Sequence, residues 1–502
     1  MENNTSEKEK KLERIRNALK WKFGDIEDYI ESDIKIGVAV TSLYQFKPVG
    51  EAYSKCFMPE LYDGHPQLSP EYIAMNKERH GYESDKLLED EEKAIKNLNQ
   101  ISAVETNAQS YPRDYSKPVK LAPDWYGRIN EEKRIFLEPI ISKSSTLISP
   151  TYRQKFVEFD KAIYELDNKK GSDEQLNQEL SKKIIQLEKD KEWNKGVGLF
   201  YVARFHHLCN KYIELFKKNF KNRSDEEIKS KQTRYLINML TDYHPDVTKE
   251  NLAAYLKKEK KLSIENIVDD FLERRAEYAT KYPKHAATLI HGDFGTHHIN
   301  LDGICFDFDE LRLDMPQDDI VRFLNNEFTG YVREKVRDAG ERKMPKYLAS
   351  YIINRKRFEK KIEWEDDPAN TRIEDIFSKY SKNNLEEECM DFLLAYYRER
   401  IEEDIHLYSV NKAAGEERLK IFSEGHPIFQ TLEQFQKFRI DDINRVLSFL
   451  LGTRAGRKTI LKEGTEEGRR NINFFETMRK FFEKSGIMEE RFGESDGGLY
   501  DY

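Results

Sequence analysis

Cysteine is scarce in this chain. The four cysteines, Cys56, Cys209, Cys305 and Cys389, lie far apart in the sequence and form no C-x-x-C pair. A disulfide framework or a cysteine-rich zinc site is therefore not expected. This usage is typical of a protein that works in a reducing compartment.

Long apolar runs and a strong charge of one sign are also missing. No apolar run approaches the ~18 residues that a membrane-spanning helix needs, and residues 1–23 are charged throughout, unlike a signal peptide. The 84 basic residues nearly balance the 92 acidic ones, which leaves a formal net charge of −8. That balance gives no argument for a nucleic-acid or membrane-surface partner. We therefore expect a cytoplasmic protein that binds neither nucleic acid nor membranes.

The residues that are present favour a globular, helix-rich protein. Charged residues make up 35% of the 502 residues and aromatic residues 12%, so a solvated surface is combined with enough aromatic side chains to form cores. Residues 7–31 have the spacing of an amphipathic helix, and strand-like runs follow at 36–44, 52–58 and 72–76. Helical spacing returns at 85–100.

A further apolar run at 134–141 is typical of a buried strand, and after residue 196 almost everything is helical except the segment 289–311. The order of these patterns predicts an α+β fold in which a small mixed lobe precedes a large, mainly helical lobe. The predicted divisions are an N-terminal helix at 1–32, a mixed lobe at 33–145, a helical lobe at 146–425 with a polar helical insertion near 160–195, a helical extension at 426–490 and a flexible tail at 491–502.

The segment 289–311, "LIHGDFGTHHINLDGICFDFDEL", concentrates histidines, acidic residues and glycines. Within it, apolar residues flank Asp302-Gly303, a dipeptide suited to a tight hairpin turn. Such a hairpin would bring Asp293 close to Asp307, and Asp309 would share the strand face of Asp307. Two carboxylates around one small volume suit a Mg²⁺-dependent phosphoryl transfer, because Mg²⁺ is often held by one or two carboxylates together with water and phosphate oxygens.

The same segment resembles the catalytic segment of the aminoglycoside phosphotransferase and choline-kinase-like family, relatives of the protein kinases. In that family an H-G-D loop is followed by a short hairpin and an I-D-[FW]-[DE] segment. His291 and Asp293 match the loop, which implies a supporting His291 and Asp293 as catalytic base. Asp307 and Asp309 match the acidic positions that bind metal. The "DMPQDDI" stretch is similar to D-x-P-x-x-D-[LI], which implies that Asp319 supports the loop.

The resemblance implies a two-lobe, protein-kinase-like fold, with ATP and Mg²⁺ bound by the site. Gly295-Thr296 is similar to the G-T of the spore-coat branch of the family. By position, Lys77 would contact the phosphates and pair with Glu91, with Lys86 and Glu92 as alternatives. "IFLEPI" resembles the hinge that meets adenine, around Glu138 to Ile140. "GLFYVARFHHL" resembles a family helix whose histidine would be His206 or His207.

The sequence departs from the family at two places. Where the family has a metal-binding Asn, five residues after the catalytic aspartate, this chain has His298, and Asn300 follows two residues later. Imidazole suits Mn²⁺ or Zn²⁺ better than Mg²⁺. A glycine-rich phosphate loop is also missing, and the turn "KPVGE" is the best candidate for its place. Three alternatives follow. His298 or Asn300 binds the second metal ion, the site works with one metal ion, or the site is inactive.

Three functions remain open from the sequence. The first is an ATP-dependent phosphotransferase acting on a hydroxyl of a small molecule, for which a cationic acceptor would fit the acidic segments. The second is a catalytically degenerate nucleotide-binding or partner-binding protein. The third is a metallohydrolase with a transition metal held by histidines and aspartates of one loop, namely His291, Asp293, His297, His298 and Asp307. The identity of the acceptor and the oligomeric state are left open.

Overall fold

The structure of the chain is a computed structural model. It describes residues 2–36, 40–57, 84–107, 119–139, 196–218, 220, 223–243, 247–248, 250–256, 263–295, 298–300, 302–325, 334–423 and 432–488. These residues form two compact units. The first unit comprises the described parts of Met1–Tyr152, Leu208–Lys221 and His291–Leu311, and the second comprises those of Arg153–His207, Asn222–Ile290 and Arg312–Tyr502.

The first unit is built on an antiparallel sheet. Its described N-terminal elements are α1 (Glu2–Phe23), β1 (Asp28–Ile36), β2 (Val40–Lys47), β3 (Gly50–Cys56), α2 (Ser84–Asn107), β4 (Trp125–Ile129) and β5 (Arg134–Leu137). The strand order across the sheet is β1-β2-β3-β5-β4. The described residues of 208–221 add the end of a helix and a 3-10 helix, Ile213–Leu215, to this unit.

Helix α1 packs its apolar stripe against the sheet. Leu12, Ile15 and Leu19 are buried in one cluster with sheet residues such as Phe46 and Phe136. Their spacing of three and four residues places the three side chains on one face of the helix. This cluster is the core of the first unit on that side of the sheet.

Two glycines fix the position of α1. Gly24 has a φ of +68° and its N–H bonds to Lys20 O at 2.9 Å, which ends the helix in the left-handed conformation that glycine adopts without strain. A Cβ atom on Gly127 in β4 would lie 2.3 Å from Ala18 O. Only glycine at 127 therefore allows the helix to lie this close to the strand.

The second unit is mainly helical. Its long helix Leu385–Ser423 packs against the helices Asp225–Tyr243, Pro316–Asn325, Glu334–Phe358 and Leu432–Gly452, and the short strands Thr288–Ile290 and Arg312–Asp314 pair with each other. The elements of the chain after β5 are α3 (196–211), α4 (Asp225–Tyr243), α5 (Leu252–Tyr255), α6 (Ile264–Lys281), α7 (Pro283–Ala286), β6 (Thr288–Ile290), β7 (Arg312–Asp314), α8 (Pro316–Asn325), α9 (Glu334–Phe358), α10 (Ile373–Lys379), α11 (Leu385–Ser423), α12 (Leu432–Gly452), a π-helix (Ala455–Ile460) and α13 (Glu466–Lys484).

The predicted α+β class, with a small mixed part and a larger helical part, is confirmed. Two local predictions were wrong. The first helix ends at Phe23 rather than near residue 31, because Gly24 ends it, and the run 36–44 contains the end of one strand and the start of the next. Strands β1 and β4 were not anticipated.

Besides its N-terminal residues, the first unit includes the described residues of 208–221 and 291–311. The predicted domain divisions stay predictions. The predicted strand 72–76, the insertion near 160–195 and the tail 491–502 lie outside the described residues. In the part of the chain that the structure describes, no helix has an apolar stretch long enough to cross a bilayer.

Candidate active site

The loop that connects β6 to β7 contains a tight turn at Asp302-Gly303. Gly303 has a φ of +77°, and Ile299 pairs with Cys305 in a single antiparallel bridge. The side-chain oxygen of Asn300 accepts hydrogen bonds from the N–H groups of Asp302 and Ile304, each at 2.9 Å. The predicted turn is therefore present, and among its described residues Ile299 and Cys305 form a bridge rather than part of a longer strand pair. In this conformation the Asn300 oxygen stabilises the turn.

The turn brings Asp293 and Asp307 to opposite sides of one imidazole ring. His298 Nδ1 lies 4.0 Å from Asp293 Oδ2, and His298 Nε2 lies 3.4 Å from Asp307 Oδ2. The His298 side chain is buried, whereas the side chains of Asp293 and Asp307 are 42% and 38% exposed. Both carboxylates are therefore accessible to a ligand from solvent.

Hydrogen bonding fixes the orientation of the His298 ring. Nδ1 donates to the backbone oxygen of Asp293 at 2.5 Å, so Nδ1 carries a proton. Nε2 then faces the Asp307 carboxylate. If Nε2 carried only its lone pair, this lone pair would repel the negative charge of the carboxylate. A proton or a metal ion shared between Nε2 and Asp307 removes this repulsion. A separation of 3.4 Å suits two ligands of one metal ion, each at ~2.1 Å from it.

A buried lysine on β3 connects the sheet to this loop. Lys55 Nζ lies 3.0 Å from Glu91 Oε2 on α2, bonds directly to Asp307 Oδ1 and lies 3.9 Å from Asp309 Oδ2. The other Glu91 oxygen accepts the N–H of Phe308 at 3.1 Å. Lys55 and Glu91 are thus a buried ion pair in direct contact with the acidic loop.

The pKa values of these groups are strongly shifted. Burial acts to lower the pKa of Lys55, but the charges of Asp307, Asp309 and Glu91 raise it well above its usual value. Burial acts to raise the pKa of Asp307, but the charges of Lys55 and His298 lower it to about 2. Burial is the main cause that raises the pKa values of Asp309 and Glu91. Asp307 is therefore the carboxylate that stays ionised most readily.

The backbone of Asp307 is in an unusual conformation. Its φ is +72°, in the left-handed region that few residues other than glycine adopt, although Asp and Asn tolerate it better than most. Non-glycine residues in such conformations cluster at active sites, at a cost of ~1–3 kcal/mol each. In this conformation the Asp307 side chain contacts Lys55 and faces His298.

His291 supports the loop from inside the first unit. It is fully buried, and its Nε2 lies 3.0 Å from the backbone oxygen of Phe306. Its ring is stacked on that of His298 with a centroid distance of 5.7 Å and an interplanar angle of 10°. Phe294 and Phe308 also pack against it. His291 therefore helps to hold His298 and the residue before Asp307 in place.

Several residues named from the sequence lie elsewhere. Lys77 and Ile140 are outside the described residues, as is His297, and Lys86 is exposed. Glu138 accepts hydrogen bonds from Lys120 and from the N–H of Asp124, and its own N–H bonds to Asp124 O at 2.9 Å.

Lys55 was not anticipated, although its sequence carried a usable signal. It is the only charged residue in "AYSKCFM", a strand-like run. A lysine in such a run lies in a sheet, where neighbouring residues bury its side chain. A buried ammonium group needs a carboxylate partner, so such a lysine is a candidate for a buried ion pair.

Asp319 belongs to a separate buried pair in the second unit. Its Oδ2 lies 2.9 Å from Nε2 of His206, and Nδ1 of His206 lies 2.7 Å from the hydroxyl of Tyr351. Both Asp319 and His206 have no solvent exposure. Burial lowers the pKa of His206, so this histidine is held neutral between two hydrogen-bond partners.

Within the described ranges, no group of three or more His, Cys, Asp or Glu side chains has the arrangement of a metal-binding cluster.

No family model and no curated protein matches the chain. Solved structures similar to it include an ethanolamine kinase of Plasmodium vivax, with 12% identity and a TM-score of 0.32 over 81% of this chain and 86% of that chain. A choline kinase of Cryptosporidium parvum Iowa II has 11% identity and a TM-score of 0.33 over 83% and 90%. Likenesses this low carry no argument about activity.

Proposed function

We propose that this chain is an ATP-dependent phosphotransferase that transfers the γ-phosphoryl group to a hydroxyl of a small molecule. The observation that supports this most is the junction of the buried Lys55–Glu91 pair with Asp307, one imidazole ring away from Asp293. Phosphoryl transfer needs a cation for the phosphates, a metal-binding carboxylate and a base for the attacking hydroxyl. These four residues provide all three.

Lys55 has the role of the phosphate contact. Glu91 holds its ammonium group from one side, and the three neighbouring carboxylates keep it protonated. Because Glu91 is buried and also bonds to Phe308 N, the lysine is held in a fixed position. A phosphate oxygen would then compete with Asp307 for the same ammonium group, which would leave Asp307 able to bind a cation.

Asp307 and His298 are the residues that would hold the metal ion. Asp307 is ionised, half-exposed and faces Nε2 of His298. A bound divalent ion would neutralise the charge of the phosphates during transfer. One carboxylate and one imidazole are few protein ligands, but ions that serve phosphoryl transfer take their remaining ligands from water and from the phosphates.

Asp293 would act as the base. Its backbone oxygen is fixed by His298 Nδ1 and by the N–H of Gly295, while its carboxylate remains 42% exposed. A fixed backbone with an accessible carboxylate suits a group that must orient a hydroxyl and accept its proton. The site contains Glu91, Asp293, Asp307 and Asp309 against one lysine, so a cationic hydroxyl compound is the acceptor class to test first.

The first test is thermal stability with and without ATP, each at zero and millimolar Mg²⁺, for wild type and Asp307→Asn. Asn tolerates the left-handed backbone of residue 307, so this substitution removes the charge with little added strain. Binding at a hundredfold excess over Kd stabilises the native state by about 2.7 kcal/mol. We expect a metal-dependent rise in melting temperature that Asp307→Asn loses.

The control for this test is Asp302→Asn, the same change in the turn of the same loop. It should keep the full ATP shift. If wild type shows no shift with ATP under any condition, the proposal is wrong at the level of nucleotide binding. If Asp307→Asn keeps the metal-dependent shift, Asp307 is not the metal ligand.

The second test separates transfer from binding. Asp293→Asn should retain the ATP-induced thermal shift and lose phosphoryl transfer by a factor of about 100 or more, the range of general-base contributions. Transfer is measured as ADP release with a panel of amino alcohols and neutral sugars. Nucleotide binding without transfer to any acceptor in wild type would favour a catalytically degenerate, nucleotide-binding protein.

A further inference from the structure

The face of the sheet opposite Lys55 carries a buried network of charged and polar side chains. Ser54 and Cys56 flank Lys55 in β3, so their side chains lie on the other face of the sheet. Ala52, on the same face as Ser54, belongs to the cluster that packs under α1. Arg134 of β5 is the centre of the network and is 1% exposed. A fully buried arginine therefore lies behind the strand that carries the lysine of the candidate active site.

The guanidinium group of Arg134 bonds several partners on this face. Its Nη1 donates to Ser54 Oγ at 2.8 Å, and its Nε donates to Glu132 Oε2 at 2.9 Å. Its Nη1 also lies 3.6 Å from Glu31 Oε1 on β1. Ser54 Oγ is in addition 3.1 Å from the hydroxyl oxygen of Ser42 on β2. The side chain of Arg134 thus links β1, β3 and the turn that precedes β5.

Helix α1 fixes the two carboxylates that hold Arg134. Glu31 Oε2 accepts a hydrogen bond from Lys11 Nζ at 3.0 Å, and Glu132 Oε1 lies 3.5 Å from Arg14 Nη1. Each carboxylate therefore has one oxygen near Arg134 and the other near α1. Burial of these charges costs desolvation energy that apolar residues would avoid, whereas charge-assisted hydrogen bonds fix distances and directions. The network is therefore better suited to holding a geometry than to raising stability.

The geometry that this network holds is that of the end of β3. Lys55 is the penultimate residue of the strand, and the pairing of β3 with β5 ends at Cys56 and Arg134. Cys56 Sγ donates to Glu132 O at 3.2 Å. Both neighbours of Lys55 are thus tied by their side chains, Ser54 to the first residue of β5 and Cys56 to the turn before it. Because chain segments at the ends of elements open most easily, these bonds restrict the backbone from which the Lys55 side chain extends.

We propose that Arg134 is a positioning residue for Lys55. It acts through Ser54 and sets the place at which the Lys55 ammonium group meets the phosphates of the nucleotide, a role that rests on the proposed phosphotransfer. Glu91 holds the end of the lysine side chain, and Arg134 holds the strand from which that side chain starts. Loss of the bond between Arg134 and Ser54 therefore weakens the binding of the phosphates without removing any group that contacts them.

The first test is the binding of ATP with metal and of adenosine to wild type and Ser54→Ala, measured by calorimetry. This small change removes the acceptor of the Arg134 bond and leaves every charge in place. The Kd for ATP should rise about tenfold, because binding must then order the strand end at a cost comparable to one hydrogen bond to a charged group. Adenosine lacks the phosphates, so its Kd should stay within about twofold. An unchanged Kd for ATP, or equal weakening of both ligands, would overturn the proposal.

A matched control separates positioning from loss of stability. Ser102 on α2 is also a buried serine of the first unit, and its hydroxyl donates to Leu98 O and accepts the N–H of Leu121. Ser102→Ala should lower the melting temperature as Ser54→Ala does, but it should bind ATP as wild type does. If Ser102→Ala weakened ATP binding by the same factor, the effect of Ser54→Ala would be general destabilisation, contrary to the proposal.

Substitution of the arginine itself gives a second variant. Arg134→Lys keeps the charge but lacks the planar fork that bonds Ser54 and Glu132 together, so the Kd for ATP should rise by about the same factor as in Ser54→Ala. Wild-type affinity for ATP in a folded Arg134→Lys would contradict the assignment of Arg134.

A measurement without ATP tests the positioning of the lysine independently. Urea unfolding gives the effect of Ser54→Ala on the unfolding equilibrium constant in wild type and in Lys55→Met/Glu91→Leu, which lacks the ion pair. If the network fixes Lys55, this effect should be at least about fivefold smaller without the pair, within the range of coupling between neighbouring residues. Equal effects would mean that the two faces of β3 are independent and that the proposal is wrong. If wild type does not bind ATP, the proposed function fails, and this comparison alone decides whether Arg134 positions Lys55.

Discussion

His298 lies between the two accessible carboxylates of the candidate active site. Nδ1 is committed to the backbone oxygen of Asp293, and only Nε2 faces Asp307. The ring is buried and stacked on His291, so it has little freedom to turn away. In the proposed metal site, the chemistry of this one nitrogen atom would determine which cation His298 and Asp307 share.

An imidazole nitrogen at this position predicts a preference for Mn²⁺ over Mg²⁺. In His298→Asn an amide oxygen replaces the imidazole nitrogen, so the ratio of Mn²⁺ to Mg²⁺ affinity should fall. A change of ~1.4 kcal/mol in one metal–ligand contact corresponds to a factor on the order of ten in this ratio. Binding of Mn²⁺ in the presence of ATP, measured by electron paramagnetic resonance with Mg²⁺ as competitor, checks this without an acceptor. If the ratio of the two affinities is unchanged in His298→Asn, His298 is not a metal ligand. Asp302→Asn serves as the control.

One buried ion pair joins β3 to α2. Lys55 is 5% exposed and Glu91 is 1% exposed, and their side chains are 3.0 Å apart. The strand places Lys55 on the face that α2 and the loop 302–311 cover, so neither charge can reach bulk water. The pair therefore holds a strand, a helix and the acidic loop in register within the first unit.

Removal of one member of the Lys55–Glu91 pair should lower the free energy of unfolding more than removal of both. Lys55→Met leaves Glu91 as an uncompensated buried charge and should destabilise the protein by about 3–5 kcal/mol. The double variant Lys55→Met/Glu91→Leu should recover a large part of that loss, because neither charge remains. Urea unfolding of the single and double variants measures the difference.

The matched control is Lys93→Met on the same helix, where the pair with Glu89 is an exposed i, i+4 contact. It should change the free energy of unfolding by no more than about 0.5 kcal/mol. If Lys55→Met were as mild as Lys93→Met, Lys55 would not be a buried partner of Glu91.

Two buried histidines in the second unit link the stability of the protein to pH. His206 is held between Asp319 and Tyr351, and burial lowers its pKa. His285 lies 2.7 Å from the hydroxyl of Tyr278, and burial lowers its pKa to about 4. In the unfolded chain both titrate near pH 6.5. The native state therefore binds fewer protons than the unfolded state between about pH 6.5 and 4.

Fewer bound protons in the native state mean that stability falls as the pH falls through this window. From pH 6.5 to 5, His285 alone should remove about 1.6 kcal/mol from the free energy of unfolding, and His206 acts in the same direction. Carboxylates with lowered pKa values add to the loss only at lower pH. Urea unfolding at several pH values should show a smaller slope for His285→Gln than for wild type. An equal slope would mean that His285 is not neutral in the native state.

The local sequence was sufficient for the turn at 302–303, because a tight turn depends on adjacent residues and on glycine at a positive φ. It was also sufficient for the α+β class, since apolar periodicity is a local property. Strands β1 and β4 were missed because their pairing depends on neighbours outside each strand. The hydrogen bonds of Asn300 to the turn are local too. The sequence did not predict them, because its position was also compatible with a role as metal ligand.

The contacts that define the candidate site join residues far apart in the chain. Lys55 and Asp307 are separated by 252 positions. The separate buried pair of the second unit, His206 and Asp319, is likewise 113 positions apart. Sequence patterns identified the acidic loop, but for the phosphate contact they led to Lys77 and Lys86, and the strand-like run around Lys55 was not used. Burial and pairing of a charge depend on which distant segments pack around it, and that is settled only when the chain is folded.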